Sequence, residues 1–226
     1  MTLKELIKLH NAMGKDLIID GLLYSLQSGR IVVSRTLGFS RDCTDVNLVD
    51  ADEIESYTFY CCAALKDIEI PPRVTHIGQY AFGFCASLSS LKIPNVTDIG
   101  ERSFADCYNL KTVEANGVLH IGYEAFGNCR DLQIIDISNI VQIGEGAFKG
   151  CYSLRHIQLP NSLTTIGDSA FYGSALESVE IPEGVTDIGY FAFEGCDSLK
   201  KVRLPNRYKT GGLSIIGDND INFEFY

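Results

Sequence analysis

The stretch LSSLKIPNVTDIGERSFADCYNL, residues 88–110, contains the whole pattern on which the fold prediction rests. Its Ile99-Gly100 pair is followed by Phe104 and then by Cys107. The same pattern recurs along the chain at a spacing of 22 or 23 residues. The leading isoleucines are Ile54, Ile77, Ile99, Ile121, Ile143, Ile166 and Ile188, of which Ile54 is followed by Glu instead of Gly. A period of this length is typical of a repeat solenoid.

Each repeat also contains a segment in which apolar and polar residues alternate towards its end. The segments are LKDIEIP at 65–71, LSSLKIP at 88–94, LKTVEAN at 110–116, LQIIDIS at 132–138, LRHIQLP at 154–160, LESVEIP at 176–182 and LKKVRLP at 199–205. This alternation indicates a β-strand with one buried face. Because one short strand is not stable alone, we expect the strands to stack into a parallel sheet with neighbours about 4.8 Å apart. The predicted fold is a β-dominated α/β solenoid of single-stranded coils.

The repeated unit resembles the BspA-like class of leucine-rich repeats over about residues 46–205. The shared pattern is L-x-x-I-x-I-P followed by V-T-x-I-G-x-x-A-F-x-G-C-x-x-L. It departs from ordinary leucine-rich repeats because proline ends most strands where those repeats carry an asparagine ladder, and proline removes a hydrogen-bond donor. These prolines are Pro71, Pro94, Pro160, Pro182 and Pro205. The resemblance implies a non-catalytic interaction scaffold without a cofactor, of a kind known mostly from bacterial and protist surface proteins.

The N-terminal residues depart from the repeat, as a solenoid end must in order to cover the apolar core. We expect residues 1–45 to form an N-terminal cap. A short helix at 2–13 should be followed by a β-hairpin at 22–34 that turns at Gln27-Ser28-Gly29.

The solenoid itself is expected at 46–205, beginning with a strand at Val46-Asn47-Leu48. Residues 206–226 should form a C-terminal loop and cap, in which Ile216-Gly217 precedes a strand at 221–226. We expect the cap, solenoid and second cap to fold as one cooperative domain.

Composition and charge limit the classes of partner. The chain has 19 Lys and Arg against 29 Asp and Glu, a formal net charge of −10 at pH 7. Nucleic-acid affinity depends on cationic side chains that displace counterions, so neither nucleic acid nor an anionic membrane is an expected partner. No apolar run approaches the roughly 18 residues of a spanning helix, so no membrane insertion is expected.

The N-terminal sequence MTLKELIKLHNAMGKD leaves the localisation open. Charged residues interrupt the apolar core that a secretory signal needs. The protein is cytoplasmic if Met1 is the native start, or secreted or on the cell surface if an export signal preceded this sequence.

Cysteine follows the repeated phenylalanine by three residues in five consecutive repeats: Cys62, Cys85, Cys107, Cys129 and Cys151. Stacked coils could bring such residues within disulfide distance, but an odd column leaves at least one unpaired. Ser174 takes the next position before Cys196. We interpret the column as a packing position for a small reduced side chain.

No metal site is predicted. One cysteine per coil does not supply the paired ligands of a zinc site. His76, Asp98 and His120 occupy equivalent positions in successive repeats. Imidazoles two coils apart are separated by about 10 Å, which is too far to share one ion.

The two outward positions of each strand segment are expected on the concave face of the solenoid, which we call the strand face. The candidate binding residues on it are Asp67, Glu69, Lys92, Thr112, Glu114, Ile134, Asp136, His156, Gln158, Glu180, Lys201 and Arg203. Opposite charges recur one coil apart, in Glu69–Lys92–Glu114 and in Glu180–Arg203. Such charges form either solubilising pairs or a specific polar binding face. Ile134, beside Thr112 and His156, is the best candidate for an interface anchor.

The leading hypothesis is a monomeric module that binds a protein, or a host or cell-surface ligand, through the strand face without a cofactor. Aromatic residues in shared columns outside the core, mostly tyrosines, offer a carbohydrate-binding alternative. They are Tyr108 with Tyr152, Tyr123 with Tyr190, and Tyr57 with Tyr80 and Phe191. Ser178 and His156, with Asp136 beyond, have the residue types of a hydrolase triad. An open sheet provides neither an oxyanion hole nor a dry pocket, so we expect no enzyme.

Overall fold

The N-terminal cap consists of a helix and a β-meander in the computed structural model, which describes residues 2–35, 44, 46, 48, 50–210 and 221–226. Helix α1 (Leu3–Ala12) begins with a capping box: Glu5 N–H donates to the Thr2 hydroxyl at 3.2 Å, and Thr2 N–H donates to the Glu5 carboxylate at 2.7 Å. This reciprocal pair satisfies two amides that the helix leaves unbonded.

Strands β1 (Leu17–Ile19), β2 (Leu22–Gln27) and β3 (Arg30–Arg35) follow the helix and pair antiparallel. The predicted helix and hairpin are confirmed. The predicted first strand at 46–48 includes Asn47, which lies outside the described residues.

Each coil contains a two-residue strand that ends at the isoleucine of the Ile-Gly pair. These strands are β4 (Glu53–Ile54), β5 (His76–Ile77), β7 (Asp98–Ile99), β9 (His120–Ile121), β11 (Gln142–Ile143), β12 (Thr165–Ile166) and β14 (Asp187–Ile188). They pair in parallel with one another and, through β4, with β3, so that the cap and the solenoid share one ten-stranded sheet. The prediction of single-stranded coils is wrong in this respect, since a two-residue strand carries no alternation to reveal it.

The predicted alternating segments form a second set of strands. They are β6 (Ser90–Lys92), β8 (Thr112–Glu114), β10 (Ile134–Asp136), β13 (Ser178–Glu180), β15 (Lys201–Leu204) and β16 (Asn222–Phe225). β6, β8 and β10 form one parallel sheet, and β13, β15 and β16 form another. The solenoid of stacked parallel strands is therefore confirmed, including the C-terminal strand that covers its last coil.

The strand face is not one continuous sheet, contrary to expectation. Segments 65–71 and 154–160 form no strand beyond an isolated bridge at Glu69. The spacing from a segment to the next repeated isoleucine does not account for this, because it is six positions after 65–71, 154–160 and 176–182, and segment 176–182 forms β13.

A 3₁₀ helix at Asn206–Thr210 follows β15, within the predicted C-terminal loop. The predicted Ile216-Gly217 pair lies outside the described residues.

The core consists of columns of identical side chains. The repeated phenylalanines are buried, and their rings stack from coil to coil with centroids 4.9 to 5.6 Å apart. They are Phe59, Phe82, Phe104, Phe126, Phe148, Phe171 and Phe193. Because every ring lies against a ring of the next coil, the apolar core extends without a break through the repeats.

The glycine of the Ile-Gly pair is required by the close approach of consecutive coils. A Cβ atom on Gly100 would lie 2.7 Å from the carbonyl oxygen of Ile77, and one on Gly144 would lie 2.7 Å from that of Ile121. These are backbone oxygens that belong to the sheet, so a side chain here would have to push two coils apart.

Candidate functional site

The predicted residues of the strand face lie on the surface. Thr112, Lys201 and Arg203 are partly buried. The exposed members are Asp67, Glu69, Lys92, Glu114, Ile134, Asp136, His156, Gln158 and Glu180.

Ion pairs occupy both sides of this face. Lys92 Nζ lies 2.8 Å from Glu114, and Arg203 donates to Glu180 at 2.5 Å. Lys201 Nζ lies 2.9 Å from Glu224 of the last strand. Glu69 forms no ion pair with Lys92 in the described part of the chain. The charges of β6, β8 and of β13 to β16 are therefore largely neutralised within the protein.

The middle of the face has a different character. The side chain of Ile134 is 63% exposed. The Asp136 carboxylate accepts a hydrogen bond from Ser138 N–H at 3.2 Å. Next to them lies a depression of about 290 Å³ lined by Ile135, Asp136, Ile137, Ser138, Gln158 and Pro160. It lies where the sheet is interrupted: among the described residues, no backbone hydrogen bond joins β10 to residues 156–158.

The triad residue types are not assembled into a catalytic arrangement. Among the residues with described coordinates, no hydrogen bond joins Ser178, His156 or Asp136 to one another, and all three are exposed. An exposed serine without a hydrogen-bonded base has no activated nucleophile.

The predicted histidine row lies in register on the ten-stranded sheet, with His76 opposite Asp98 and Asp98 opposite His120. The His120 Nδ1 lies 2.9 Å from the Asp98 carboxylate. Partial burial would raise the pKa of Asp98, but hydrogen bonds from Thr97 and His120 hold that pKa below its usual value. Across the described ranges, no three His, Cys, Asp or Glu side chains are placed to hold a metal ion.

The cysteine column is buried, in agreement with the packing interpretation. The Cys85 thiol donates to the Phe59 carbonyl at 3.2 Å, and Cys107 donates to that of Phe82 at 3.2 Å. Burial raises the pKa of Cys107 to about 12. A buried thiol with a raised pKa is a poor nucleophile and metal ligand.

Two columns of residues with left-handed backbone conformation run along the turns, and sequence reasoning missed them. The first left-handed column lies three residues after each repeated isoleucine. It consists of Tyr57, Tyr80, Arg102, Glu124, Gly146, Ser169 and Phe191. The second left-handed column lies two residues after each repeated phenylalanine. It consists of Cys61, Phe84, Asp106, Asn128, Gly150, Gly173 and Gly195. Every one has φ between 45° and 72°. Glycine is favoured at such torsions, yet the N-terminal coils place larger side chains there.

Aromatic rings cluster at the N-terminal end of these columns. Tyr57 stacks on Tyr80 with centroids 5.2 Å apart. Tyr60 meets Tyr57, Tyr80 and Phe84 edge-on at 5.6 to 5.7 Å. Tyr57 is 45% exposed and Phe84 is 36% exposed. We call these four residues the aromatic cluster.

Arg102 connects the aromatic cluster to a polar region. Its Nε lies 2.7 Å from the Glu124 carboxylate, and its Nη1 donates to the Tyr80 hydroxyl at 2.5 Å. The guanidinium also lies over the Tyr123 ring, 4.9 Å from its centroid. Mainly through the hydrogen bond to Glu124, these contacts raise the pKa of Arg102 further.

A groove of about 270 Å³ lies beside Arg102. It is lined by Tyr80, Phe84, Arg102, Ala105, Asp106, Glu124, Gly127, Asn128 and Lys149. Six of these nine residues belong to the two left-handed columns.

The tyrosine columns predicted from the sequence contained Tyr57 and Tyr80 but missed Tyr60, Phe84 and Arg102. A signal was available: the consensus has glycine two residues after phenylalanine, and Phe84, like Asp106, replaces it.

None of the helices in the described ranges has the length and apolar composition needed to cross a membrane. The sequence matches the family described as BspA type leucine rich repeat region over residues 52–142 and 119–222, with six copies of the repeat. No curated protein is significantly similar to the chain.

Solved structures are similar to the chain. A leucine rich cell surface protein from Faecalibacterium prausnitzii A2-165 has a TM-score of 0.71 and 28% identity over 83% of this chain and 54% of that one. The T. pallidum leucine rich repeat protein has a TM-score of 0.69 and 28% sequence identity, and the match covers 82% of this chain and 91% of that protein. A leucine-rich repeat protein from Bacteroides ovatus ATCC 8483 has a TM-score of 0.59 and 27% sequence identity, and the match covers 78% of this chain and 52% of that protein. The chain thus spans about half the length of the Faecalibacterium and Bacteroides proteins.

Proposed function

The chain belongs to the BspA-type leucine-rich-repeat family, and on that premise we propose that it binds a protein through the centre of its strand face, around Ile134. The observation that carries the proposal is the exposed Ile134 side chain beside the depression lined by Ile135 to Ser138, Gln158 and Pro160. An apolar side chain next to a concavity provides both a knob and a hole, the combination found at the energetic centre of protein interfaces.

The distribution of charge supports the same location. Lys92 is paired with Glu114 on one side, and Arg203 with Glu180 on the other. Paired surface charges contribute little to stability or to binding, so they form a polar rim. Ile134 lies between the two rims, as the apolar centre of an interface does.

The interrupted sheet adds a second kind of contact. No described backbone hydrogen bond spans β10 and residues 156–158, so peptide groups in this seam can bond to a ligand. A protein segment that inserts a side chain into the depression can satisfy them at the same time. We propose a non-catalytic, monomeric scaffold without a cofactor, whose partner contacts this seam.

The cell surface is the proposed location. The Faecalibacterium protein is named as a cell surface protein, and 83% of the present chain matches it. The corresponding partner would be a surface protein of the host or of a neighbouring cell.

The test uses a photo-crosslinking amino acid at Gln158, which lines the depression, and a control at Gln142, on the ten-stranded sheet. Host-cell surface proteins and bacterial surface proteins are presented separately. A protein crosslinked from Gln158 but not from Gln142 is then purified, and its Kd for the chain is measured. Equal crosslinking from both positions contradicts the proposed surface.

The matched variants are Ile134→Asp and Ile18→Asp, which place the same charge on two exposed isoleucines. We expect Ile134→Asp to weaken the purified partner's binding at least tenfold, about 1.4 kcal/mol or more, with an unchanged melting temperature. Ile18→Asp should leave the Kd unchanged. The proposal fails if Ile134→Asp binds normally, or if it loses binding only together with the fold.

A further inference from the structure

We propose a second binding site, on a different surface: the groove beside Arg102, between the two left-handed columns, binds a neutral pyranose ring of a carbohydrate. Tyr80 and Phe84 of the aromatic cluster line one side of the site, and Arg102, Asp106, Glu124 and Asn128 line the other. It uses no residue of the strand face.

The first argument is the backbone. All fourteen positions of the two columns have left-handed torsions, so the backbone at these turns is alike in all seven repeats. In the second column the C-terminal coils carry Gly150, Gly173 and Gly195, whereas the first column carries Gly146, Ser169 and Phe191. A bulky side chain in this conformation costs about 1 to 2 kcal/mol. Tyr57, Tyr80 and Phe84 are therefore not required by the fold, and strained residues of this kind concentrate at binding sites.

The second argument is the chemistry of the lining. The Phe84 and Tyr80 rings give the groove an apolar side. On the other side, Asn128 donates to Asp106 at 3.1 Å, and Arg102 is paired with Glu124. A ligand that fits both sides needs a flat C–H face for the rings and hydroxyl groups for the amide and carboxylates, which is the composition of a pyranose.

Charge selects a neutral ligand. Two carboxylates, Asp106 and Glu124, and two cations, Arg102 and Lys149, line the groove, so its formal charge is balanced. The two carboxylates would repel a phosphate or sulfate, and Arg102 and Lys149 would repel an ammonium group. The volume of about 270 Å³ is at the small end of ligand pockets, which favours one sugar ring.

The groove is also preorganised. Phe84 N–H donates to the Ala105 carbonyl at 2.9 Å, and Asp106 N–H donates to that of Gly127 at 2.8 Å, so both residues are fixed to the next coil. Arg102 is held by Glu124, Tyr80 and the Tyr123 ring. Little side-chain entropy remains to be lost when a ligand binds.

The columns themselves supply variants that keep the fold. Phe84→Gly and Asp106→Gly introduce the residue that Gly150, Gly173 and Gly195 already provide at the same repeat position. Phe191→Gly makes the matched change at the far end of the first column, at a side chain that is 54% exposed but outside the groove.

The experiment applies the full chain to an array of neutral, sialylated and sulfated glycans, followed by calorimetry with the neutral oligosaccharide that gives the strongest signal. We expect binding of a neutral glycan that falls at least tenfold in Phe84→Gly and in Asp106→Gly. Phe191→Gly and Ile134→Asp should bind as the wild type does, and all four variants should keep its melting temperature.

The proposal is overturned if no neutral glycan binds, if only sialylated or sulfated glycans bind, or if Phe191→Gly loses as much affinity as Phe84→Gly. Because Ile134→Asp tests the other surface, failure of this proposal and failure of the protein-binding proposal give different results.

Discussion

The N-terminal and C-terminal halves of the solenoid have the same backbone but different side chains along the turns. Both halves share the stacked phenylalanine column and the left-handed torsions. In the second left-handed column, the N-terminal coils carry Phe84 and Asp106 where the C-terminal coils carry Gly150, Gly173 and Gly195. The first column carries an aromatic residue near both ends, Tyr80 and Phe191. The comparison separates two kinds of position: those that packing determines in every coil, and those where the fold accepts glycine and the larger residue must have another cause.

The largest effect is expected at a glycine that both halves share. In Gly144→Val, the new Cβ would lie 2.7 Å from the Ile121 carbonyl oxygen and force two coils apart. The free energy of unfolding should fall by about 3 kcal/mol, measured by urea denaturation.

Gly173→Ala is the matched control for Gly144→Val, because its Cβ would find ordinary space 3.6 Å from the Tyr152 ring. Its left-handed torsion should cost only about 1 kcal/mol. Equal losses in the two variants would mean that coil contact does not determine the glycine of the Ile-Gly pair.

An intermediate effect is expected at Asp52, which joins the first coil of the solenoid to the N-terminal cap. The buried Asp52 carboxylate accepts Ile31 N–H at 2.8 Å and Arg73 Nε at 2.8 Å, and Lys4 Nζ lies 3.8 Å away. Burial would raise the pKa of Asp52, but these three partners lower it below its usual value.

Asp52→Asn should therefore destabilise the protein in a pH-dependent way. A carboxyl whose pKa is lower in the folded than in the unfolded state stabilises the fold above the unfolded pKa, and this stabilisation disappears as the pH falls through the folded pKa. The free energy of unfolding of the wild type should exceed that of the variant by about 2 kcal/mol at pH 7. This difference should shrink as the pH falls below the unfolded pKa of about 4 and through the lower folded pKa. A difference that persists in acid would assign the effect to packing.

The smallest effect is expected at the position where the halves differ. Phe84→Gly removes the left-handed strain of a phenylalanine but also its edge contact with Tyr60 at 5.6 Å. These terms oppose each other, so the free energy of unfolding should stay within about 1 kcal/mol of the wild type. A loss of several kcal/mol in chemical denaturation would show that Phe84 serves the fold and would remove the main reason to assign it a ligand.

Much of the fold was predictable because the residues that form the core recur at fixed positions of the repeat. Ile99, Phe104 and Cys107 recur in phase, and all three are buried. The strands that end at Ile99 and its equivalents were not predicted, since two residues cannot express a period. The interruption near residues 156–158 was not predicted either, because segment 154–160 has the same apolar–polar alternation as the segments that form strands.

The candidate sites were predictable to a different extent. Ile134 stood out because it breaks a polar pattern, and its side chain is exposed as expected. The groove beside Arg102 escaped prediction because its members are defined by backbone torsion, and because Tyr60 and Phe84 occupy different repeat columns. Only the coil geometry brings their rings to 5.6 Å.

The interrupted strand face also has a mechanical consequence. On one side of the solenoid, ten strands form a sheet without a break, while on the other side the sheet stops between β10 and β13. Hydrogen-bonded sheet resists extension more than an open seam does, so we expect bending to concentrate at this seam, with the ten-stranded side as the hinge axis. A ligand that bridges the seam would therefore stiffen the rod.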